Sequence, residues 1–100
     1  MSIILIEPGA APRTVTGPVT IADLQRLLSC EAIERIPGVT DYEGAPADMY
    51  GDEMAGLSER AFNLRAVELR DAGLVASGHR PSPNPIQGPV VILTGKDRLP

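Results

Sequence analysis

The side chains best suited to hold a polar ligand are concentrated in residues 48–73, which read DMYGDEMAGLSERAFNLRAVELRDAG. The guanidinium groups of Arg60 and Arg70 can each bind a phosphate or carboxylate through two parallel hydrogen bonds. Tyr50 can stack on a base or hydrogen-bond through its hydroxyl. Asn63 is an unfavourable residue inside a helix, so it indicates a capping, packing or binding role. The segment therefore predicts a ligand-binding cluster of Tyr50, Arg60, Asn63 and Arg70.

The same arginines also fit a purely structural role. A solvated helix can neutralise its arginines with acids three or four positions away, and this segment offers Glu59, Glu68 and Asp71. Both interpretations stay open at the level of sequence. If the cluster binds a ligand, the chemistry of its arginines predicts a small anionic molecule such as a nucleotide.

The acidic residues of this region do not form a recognisable metal site. They lack the spacing of a calcium-binding loop, and the chain has a single histidine and a single cysteine with which to build a zinc site. We therefore expect no metal and no other cofactor, and we interpret the acids as parts of solvated turns. The residues concerned are Asp41, Glu43, Asp48, Asp52 and Glu53.

Nucleophilic catalysis is equally hard to assign. Cys30 follows a predicted helix and precedes Glu31, and both features would raise the pKa of its thiol. His79 lies among prolines, with Ser77 and Ser82 as the nearest hydroxyls. We therefore name no catalytic residue and favour a binding protein over an enzyme.

Length and composition set the frame for these residues. A chain of 100 residues with 43% hydrophobic side chains predicts one globular domain spanning residues 1–100. The net charge of −4 argues against direct nucleic-acid binding, which needs a basic surface. No apolar run is long enough to span a bilayer and no signal-peptide pattern opens the chain, so we expect no membrane partner and a cytoplasmic location.

The beginning of the chain predicts a hairpin followed by a helix. The apolar run at residues 3–6 predicts a central strand covered on both faces. Residues 13–16 alternate polar and apolar, as the second strand of a hairpin would. Thr20 is a good N-cap and Asp23 completes a capping box. Apolar residues at helical spacing then predict a helix over about residues 21–29.

The rest of the chain predicts more strands and a second helix. Residues 31–36 predict a short strand, whereas residues 49–50 fit a strand or a loop. Ser58 is a candidate N-cap for a helix that would end at Gly73. Prolines predict an extended loop at about residues 79–89, and residues 90–93 repeat the apolar pattern of the first strand, so these two strands should be adjacent. The elements predict an α+β fold, a small, mostly antiparallel sheet with two helices packed on it.

A series of short motifs runs in order through nearly the whole chain. They are Ile6-Glu7-Pro8-Gly9, Leu24-Gln25-Arg26-Leu27, Ile33-Glu34, Tyr50-Gly51-Asp52-Glu53 with Gly56-Leu57, Asn63 with Ala66, and Gly88 with Val90-Val91-Ile92 and Gly95. Together they resemble a family of small uncharacterised proteins from phages, plasmids and related actinobacterial elements, catalogued as a domain of unknown function. The Pro-rich residues 79–89 depart from the family pattern. The resemblance implies an α+β domain encoded by a mobile element, which for a phage means action in the host cytoplasm.

These observations suggest three functions, in decreasing order of preference. The first is a non-catalytic protein that sequesters a small anionic ligand, such as a nucleotide signal of host defence. We expect it to be a homodimer, because a small domain has little room for a closed pocket. The second is an acidic inhibitor that binds a host defence enzyme through its surface and Pro-rich loop. The third is a metal-dependent hydrolase built on Asp48, Asp52 and Glu53.

Overall fold

One antiparallel sheet organises the chain. The computed structural model describes residues 3–16, 20–57 and 59–99. These form strands β1 (Ile3–Ile6) and β2 (Arg13–Val15), helix α1 (Ile21–Leu28), strands β3 (Ile33–Ile36), β4 (Asp41–Tyr42) and β5 (Ala45–Asp52), helix α2 (Leu64–Ala76) and strand β6 (Val90–Thr94). Short 3-10 turns follow β5 at Ala55–Leu57 and β6 at Gly95–Asp97. The predicted α+β fold with two helices is confirmed.

The strand order places the two apolar strands in the middle of the sheet. The order is β2-β1-β6-β5-β3, and β4 pairs with the first residues of β5. All pairings are antiparallel, and β1 lies against β6 with Ile4 opposite Ile92. The predicted hairpin of β1 and β2 and the predicted adjacency of β1 and β6 are therefore confirmed. Met49 and Tyr50 belong to a strand, the eight-residue β5.

The helices lie on opposite faces of the sheet, because alternate residues of each strand enter different cores. On one face, Leu24 and Leu28 of α1 pack with Ile3, Leu5, Val91 and Leu93. On the other face, Ala66 of α2 packs with Ile4, Ile6, Met49, Val90 and Ile92. All residues of β1 and β6 are buried, which explains their uninterrupted apolar sequence.

Helix α1 begins where its sequence predicts. The amide of Asp23 donates to the Thr20 hydroxyl at 3.1 Å, and the Thr20 amide donates to the Asp23 carboxylate at 3.0 Å. This is the reciprocal capping box expected from the sequence. The hydrogen bond from the Thr20 side chain is the main cause that lowers the pKa of Asp23 below its ordinary value.

Helix α2 differs from its prediction at both ends. It begins at Leu64 with Asn63 as N-cap; the predicted N-cap, Ser58, lies outside the described residues. Gly73 is inside the helix and does not end it, so that prediction is wrong. The helix ends instead at Ala76, with Ser77 as C-cap. The following Gly78 has a φ of +84°, and the His79 amide donates to the Leu74 carbonyl at 2.8 Å. This arrangement is a Schellman motif.

Gly73 is where α2 crosses the sheet most closely. Between β3 and β4, residues 37–40 face only residues 47–48 of β5, which makes a bulge in this edge of the sheet. The bulge carries Gly38, with a φ of +116°. A Cβ added at Gly73 would lie 2.0 Å from the Gly38 carbonyl oxygen. Gly73 is therefore needed for the approach of two backbones.

Candidate functional site

Asn63 is the most deeply buried of the four predicted ligand-binding residues, with 1% of its surface exposed. Its Oδ1 accepts the Ala66 amide at 3.2 Å and so caps α2. Its Nδ2 donates to the carbonyl oxygens of Ile6 and Gly88, both at 3.0 Å. The side chain thus joins the helix start, the end of β1 and the approach to β6, and its unfavourable residue type is explained by capping.

Arg60 holds the end of α1. Its Nη1 donates to the Leu28 carbonyl at 2.7 Å, and its Nη2 donates to the Ser29 carbonyl at 2.5 Å. A cation at this position satisfies free carbonyls and complements the helix dipole. The Nε of Arg60 also lies 3.7 Å from Asp52 Oδ2. Arg60 precedes α2 in the chain, so the predicted placement of this arginine within a helix is wrong.

Arg70 fastens the Pro-rich loop to α2. Only 5% of its surface is exposed, and its Nε donates to Asp71 Oδ1 at 3.0 Å. Its Nη2 donates to the Ser82 carbonyl at 3.2 Å, and the Ser82 amide donates back to Asp71 at 3.2 Å. Within the described ranges, no buried side-chain nitrogen lacks a hydrogen-bond partner.

Tyr50 lies on the other side of the sheet. It packs beside the core that contains α1, whereas Asn63 and Arg70 lie with α2. The structure therefore does not bring the four residues together around one ligand. Whether any of them binds one stays a prediction, but three of them, Arg60, Asn63 and Arg70, already have internal partners. The alternative interpretation, in which arginines of this segment pair with acids of the same segment, applies to Arg70, which pairs with Asp71.

A cleft of about 550 Å³ opens on the α2 side of the sheet, between β3 and the Pro-rich loop. Its volume is in the range of small-ligand pockets. The lining residues come from β3 and the following turn (34–37), the end of β5 and its turn (51–53 and Ala55), α2 (Arg70 and Leu74) and the loop (Ser82 and 84–87). We call this feature the β3 cleft.

Gly51 keeps the floor of the β3 cleft open. It is buried in the interior of β5 and has no left-handed backbone to require glycine. A Cβ there would lie 3.0 Å from Ile36 Cδ1 and 3.5 Å from Val90 Cγ1. A glycine inside a strand is typical of a place where a ligand or another backbone approaches closely. This glycine is the signal in the sequence from which the cleft could have been identified.

The two arginines that line the β3 cleft are paired with acids, whereas two of its glutamates have no ion-pair partner among the described residues. Arg70 pairs with Asp71 at 3.0 Å, and Arg35 pairs with Asp48 at 3.4 Å. Glu34 and Glu53 are exposed and take part in none of the ion pairs formed by the described residues. Asp52 is different, since its Oδ1 accepts the Met54 amide at 2.8 Å and its Oδ2 faces Arg60. The cleft therefore presents negative charge.

No protein-family model, no curated protein and no solved structure matches this chain. The resemblance to the mobile-element family accordingly stays a prediction.

Three further observations concern chemistry outside the β3 cleft. Among residues 3–16, 20–57 and 59–99, no three or more His, Cys, Asp or Glu side chains are grouped to hold a metal ion. In the same part of the chain, no helix has the length and apolar character to cross a membrane. Burial is the main cause that raises the pKa of the Cys30 thiol, with a further contribution from the Asp52 carboxylate. The expected direction of this pKa shift is confirmed, although the causes differ from those expected.

Proposed function

We propose that this protein is a non-catalytic binding protein that holds a protein partner through the β3 cleft. The observation that carries this proposal is the charge of the cleft. Glu34 and Glu53 line it without an ion-pair partner, while Arg35 and Arg70 are already paired. A partner that brings lysine or arginine gains electrostatic attraction there, whereas a polyphosphate is repelled.

The Pro-rich loop supports a protein partner as well. It forms one wall of the β3 cleft. It is held in place by the Ser82 carbonyl, which accepts from Arg70, and by the Ser82 amide, which donates to Asp71. A fixed, extended loop loses little conformational entropy when a partner binds. Together with the resemblance to proteins of mobile elements, this favours an inhibitor that binds a host protein.

The test uses charge removal at two cleft residues. The protein and its Glu34→Gln/Glu53→Gln variant serve as baits for host lysate, and a partner retained by the first is identified, purified and titrated calorimetrically. We expect the variant to bind about two- to thirtyfold more weakly, because two exposed ion pairs are lost and each contributes about 0.2–1 kcal/mol. Glu68→Gln is the matched control, since Glu68 is an exposed acid of α2 outside the cleft. Equal binding by the double variant and by the unaltered protein would contradict the proposal.

Capture of a small anionic ligand is the second candidate, supported by one observation. Arg70 lines the β3 cleft, and a guanidinium group can bind an oxygen of a phosphate or carboxylate. A ligand of mononucleotide size could place its donor groups against Glu34 and Glu53. A thermal-shift series with nucleoside monophosphates, cyclic nucleotides and ADP-ribose tests this, because tight binding raises the unfolding temperature. A flat series with a folded baseline would exclude it.

A further inference from the structure

The open edge of β3 offers a second kind of contact. β3 is the last strand of the sheet order, so one of its sides has no neighbouring strand among the described residues. The Glu53 amide donates to the Ala32 carbonyl at 3.0 Å. Because hydrogen-bonded and non-bonded pairs alternate in an antiparallel ladder, Glu34 and Ile36 then bond to β5. The amide and carbonyl groups of Ile33 and Arg35 consequently point to the open side.

These outward groups have no partner elsewhere in the described part of the chain. Among the backbone hydrogen bonds that the described residues make outside the helices and strand pairs, none involves the amide or carbonyl of Ile33 or Arg35. At the opposite edge of the sheet, β2 has three residues and follows Pro12. Unpaired strand groups are a template for another extended chain.

The side chains beside this edge select what can pair with it. Glu34 is flanked in sequence by the two outward-facing residues, and it lies on the same face of the sheet as Gly51, its partner in β5. An added strand would place one residue directly opposite Glu34, about 4.5–5.5 Å away between Cβ atoms. On that face, Glu53 is a second free carboxylate of the β3 cleft. The residue opposite Glu34 therefore meets uncompensated negative charge.

Two registers of pairing with a second copy of this chain bring like charges together at this edge. If Ile33 and Arg35 of one copy paired with Arg35 and Ile33 of the other, Glu34 would face its own copy across the interface. If the pairing were centred on Arg35, two arginines would face each other. Like charges directly opposite each other destabilise a strand pair, so both of these registers disfavour a second copy.

The geometry points to β-strand addition at β3 by an extended polypeptide segment that carries Lys or Arg opposite Glu34. This inference rests on the proposed function and specifies how the partner binds. The backbone of Ile33 and Arg35 supplies the hydrogen bonds, and Glu34 with Glu53 supplies the preference for a cation.

The test uses short capped peptides that alternate Lys and Thr, with the matching Glu/Thr peptides as charge controls. If the peptide adds antiparallel to β3 with Lys opposite Glu34, the Thr amides face β3 and the Lys amides face away. Methylation of the Thr amide nitrogens should therefore weaken binding about tenfold or more, since it removes the bonds to β3. Methylation of the Lys amide nitrogens should leave the affinity unchanged.

A pair of protein variants tests the same contact from the other side. Arg35→Pro removes an outward amide that makes no bond to β5, and proline is tolerated at such an edge position. Arg35→Ala removes the same side chain and keeps the amide. We expect Arg35→Pro to bind the Lys/Thr peptide about tenfold more weakly than Arg35→Ala, which keeps the outward amide. In the unaltered protein, the Lys/Thr peptide should slow hydrogen exchange at the Ile33 and Arg35 amides.

The outcomes separate this inference from the proposed function. Suppose that peptide binding depends on Glu34 and Glu53 but is unchanged by Arg35→Pro and by Thr methylation. That result would overturn strand addition and leave the acidic cleft as the binding site. Failure of the Lys/Thr peptides to bind better than the Glu/Thr peptides would overturn strand addition by a basic segment. Self-association that Arg35→Pro abolishes would also overturn it, because a second copy would then occupy the edge. Methylated peptides also keep the test valid if a variant fails to fold.

Discussion

Replacing Gly73 by alanine gives opposite predictions from helix propensity and from the packing of α2. Alanine is favoured over glycine inside a helix by about 0.8–1.0 kcal/mol. Gly73 lies within α2, so helix propensity alone predicts a more stable protein. In the fold, however, the new Cβ would lie 2.0 Å from the Gly38 oxygen and 2.8 Å from its carbonyl carbon.

The size of the clash decides the sign. Real Cβ contacts essentially never fall under 3.0 Å, and the present separation is 2.0 Å, so α2 and the bulge must separate by about 1 Å. The obstacle is backbone, which cannot turn away as a flexible side chain can. Overpacking of this kind costs about 1–3 kcal/mol or more, which exceeds the gain in helix propensity. We expect Gly73→Ala to lower the free energy of unfolding by about 1–2 kcal/mol.

Denaturant titration followed by circular dichroism measures this change, and a thermal scan should show a fall of about 4–8 °C per kcal/mol. Ala72→Gly is the matched control on the exposed side of the same helix, where a loss of about 0.5–1 kcal/mol is expected from propensity alone. A Gly73→Ala protein that is more stable than the unaltered chain would refute the close approach of α2 and the bulge.

Three further predictions concern single side chains. Asn63→Ala should lower the free energy of unfolding by about 2–4 kcal/mol, because it removes a cap and leaves the Ile6 and Gly88 carbonyls without their donor. Asn63→Asp keeps the cap but also loses this donor, so in a denaturant titration it should be no more stable than Asn63→Ala. The lowered pKa of Asp23 means that its stabilising effect is complete above pH 3.8, the ordinary value, and is lost as pH falls through the folded pKa; a carboxyl NMR titration with a midpoint at or above 3.8 would contradict this. The raised pKa of Cys30 predicts slower alkylation in the native protein than in urea at neutral pH, and equal rates would count against it.

The parts of the fold that the sequence predicts well are those fixed by neighbouring residues. Thr20 and Asp23 are three positions apart, and together they define the start of α1. The apolar runs of β1 and β6 likewise indicate burial on both faces without knowledge of their partners. At the start of α1 and in the two apolar strands, the structure favoured by neighbouring residues is therefore the same as the structure found in the fold.

The candidate site depends on contacts that local rules do not contain. Asn63 binds the Ile6 carbonyl across 57 positions of sequence, and Arg60 binds the Leu28 carbonyl across 32. Residue type alone identifies both as polar groups in need of partners, but it does not tell an internal carbonyl from a ligand. Sequence proximity groups Tyr50 with them, whereas strand alternation turns it to the other face.

The internal use of arginine also sets the charge of the β3 cleft. Each arginine that caps a helix or pairs with a nearby acid is withdrawn from the surface potential, as Arg60 and Arg70 are. The free carboxylates of Glu34 and Glu53 then dominate the cleft, although the arginines in residues 48–73 suggest an anion site. Exposed charges are screened over about 8 Å at physiological ionic strength. Binding through this cleft should therefore weaken as salt is added, while backbone pairing along β3 should be much less sensitive to salt, so the salt dependence of a partner's affinity separates the two contributions.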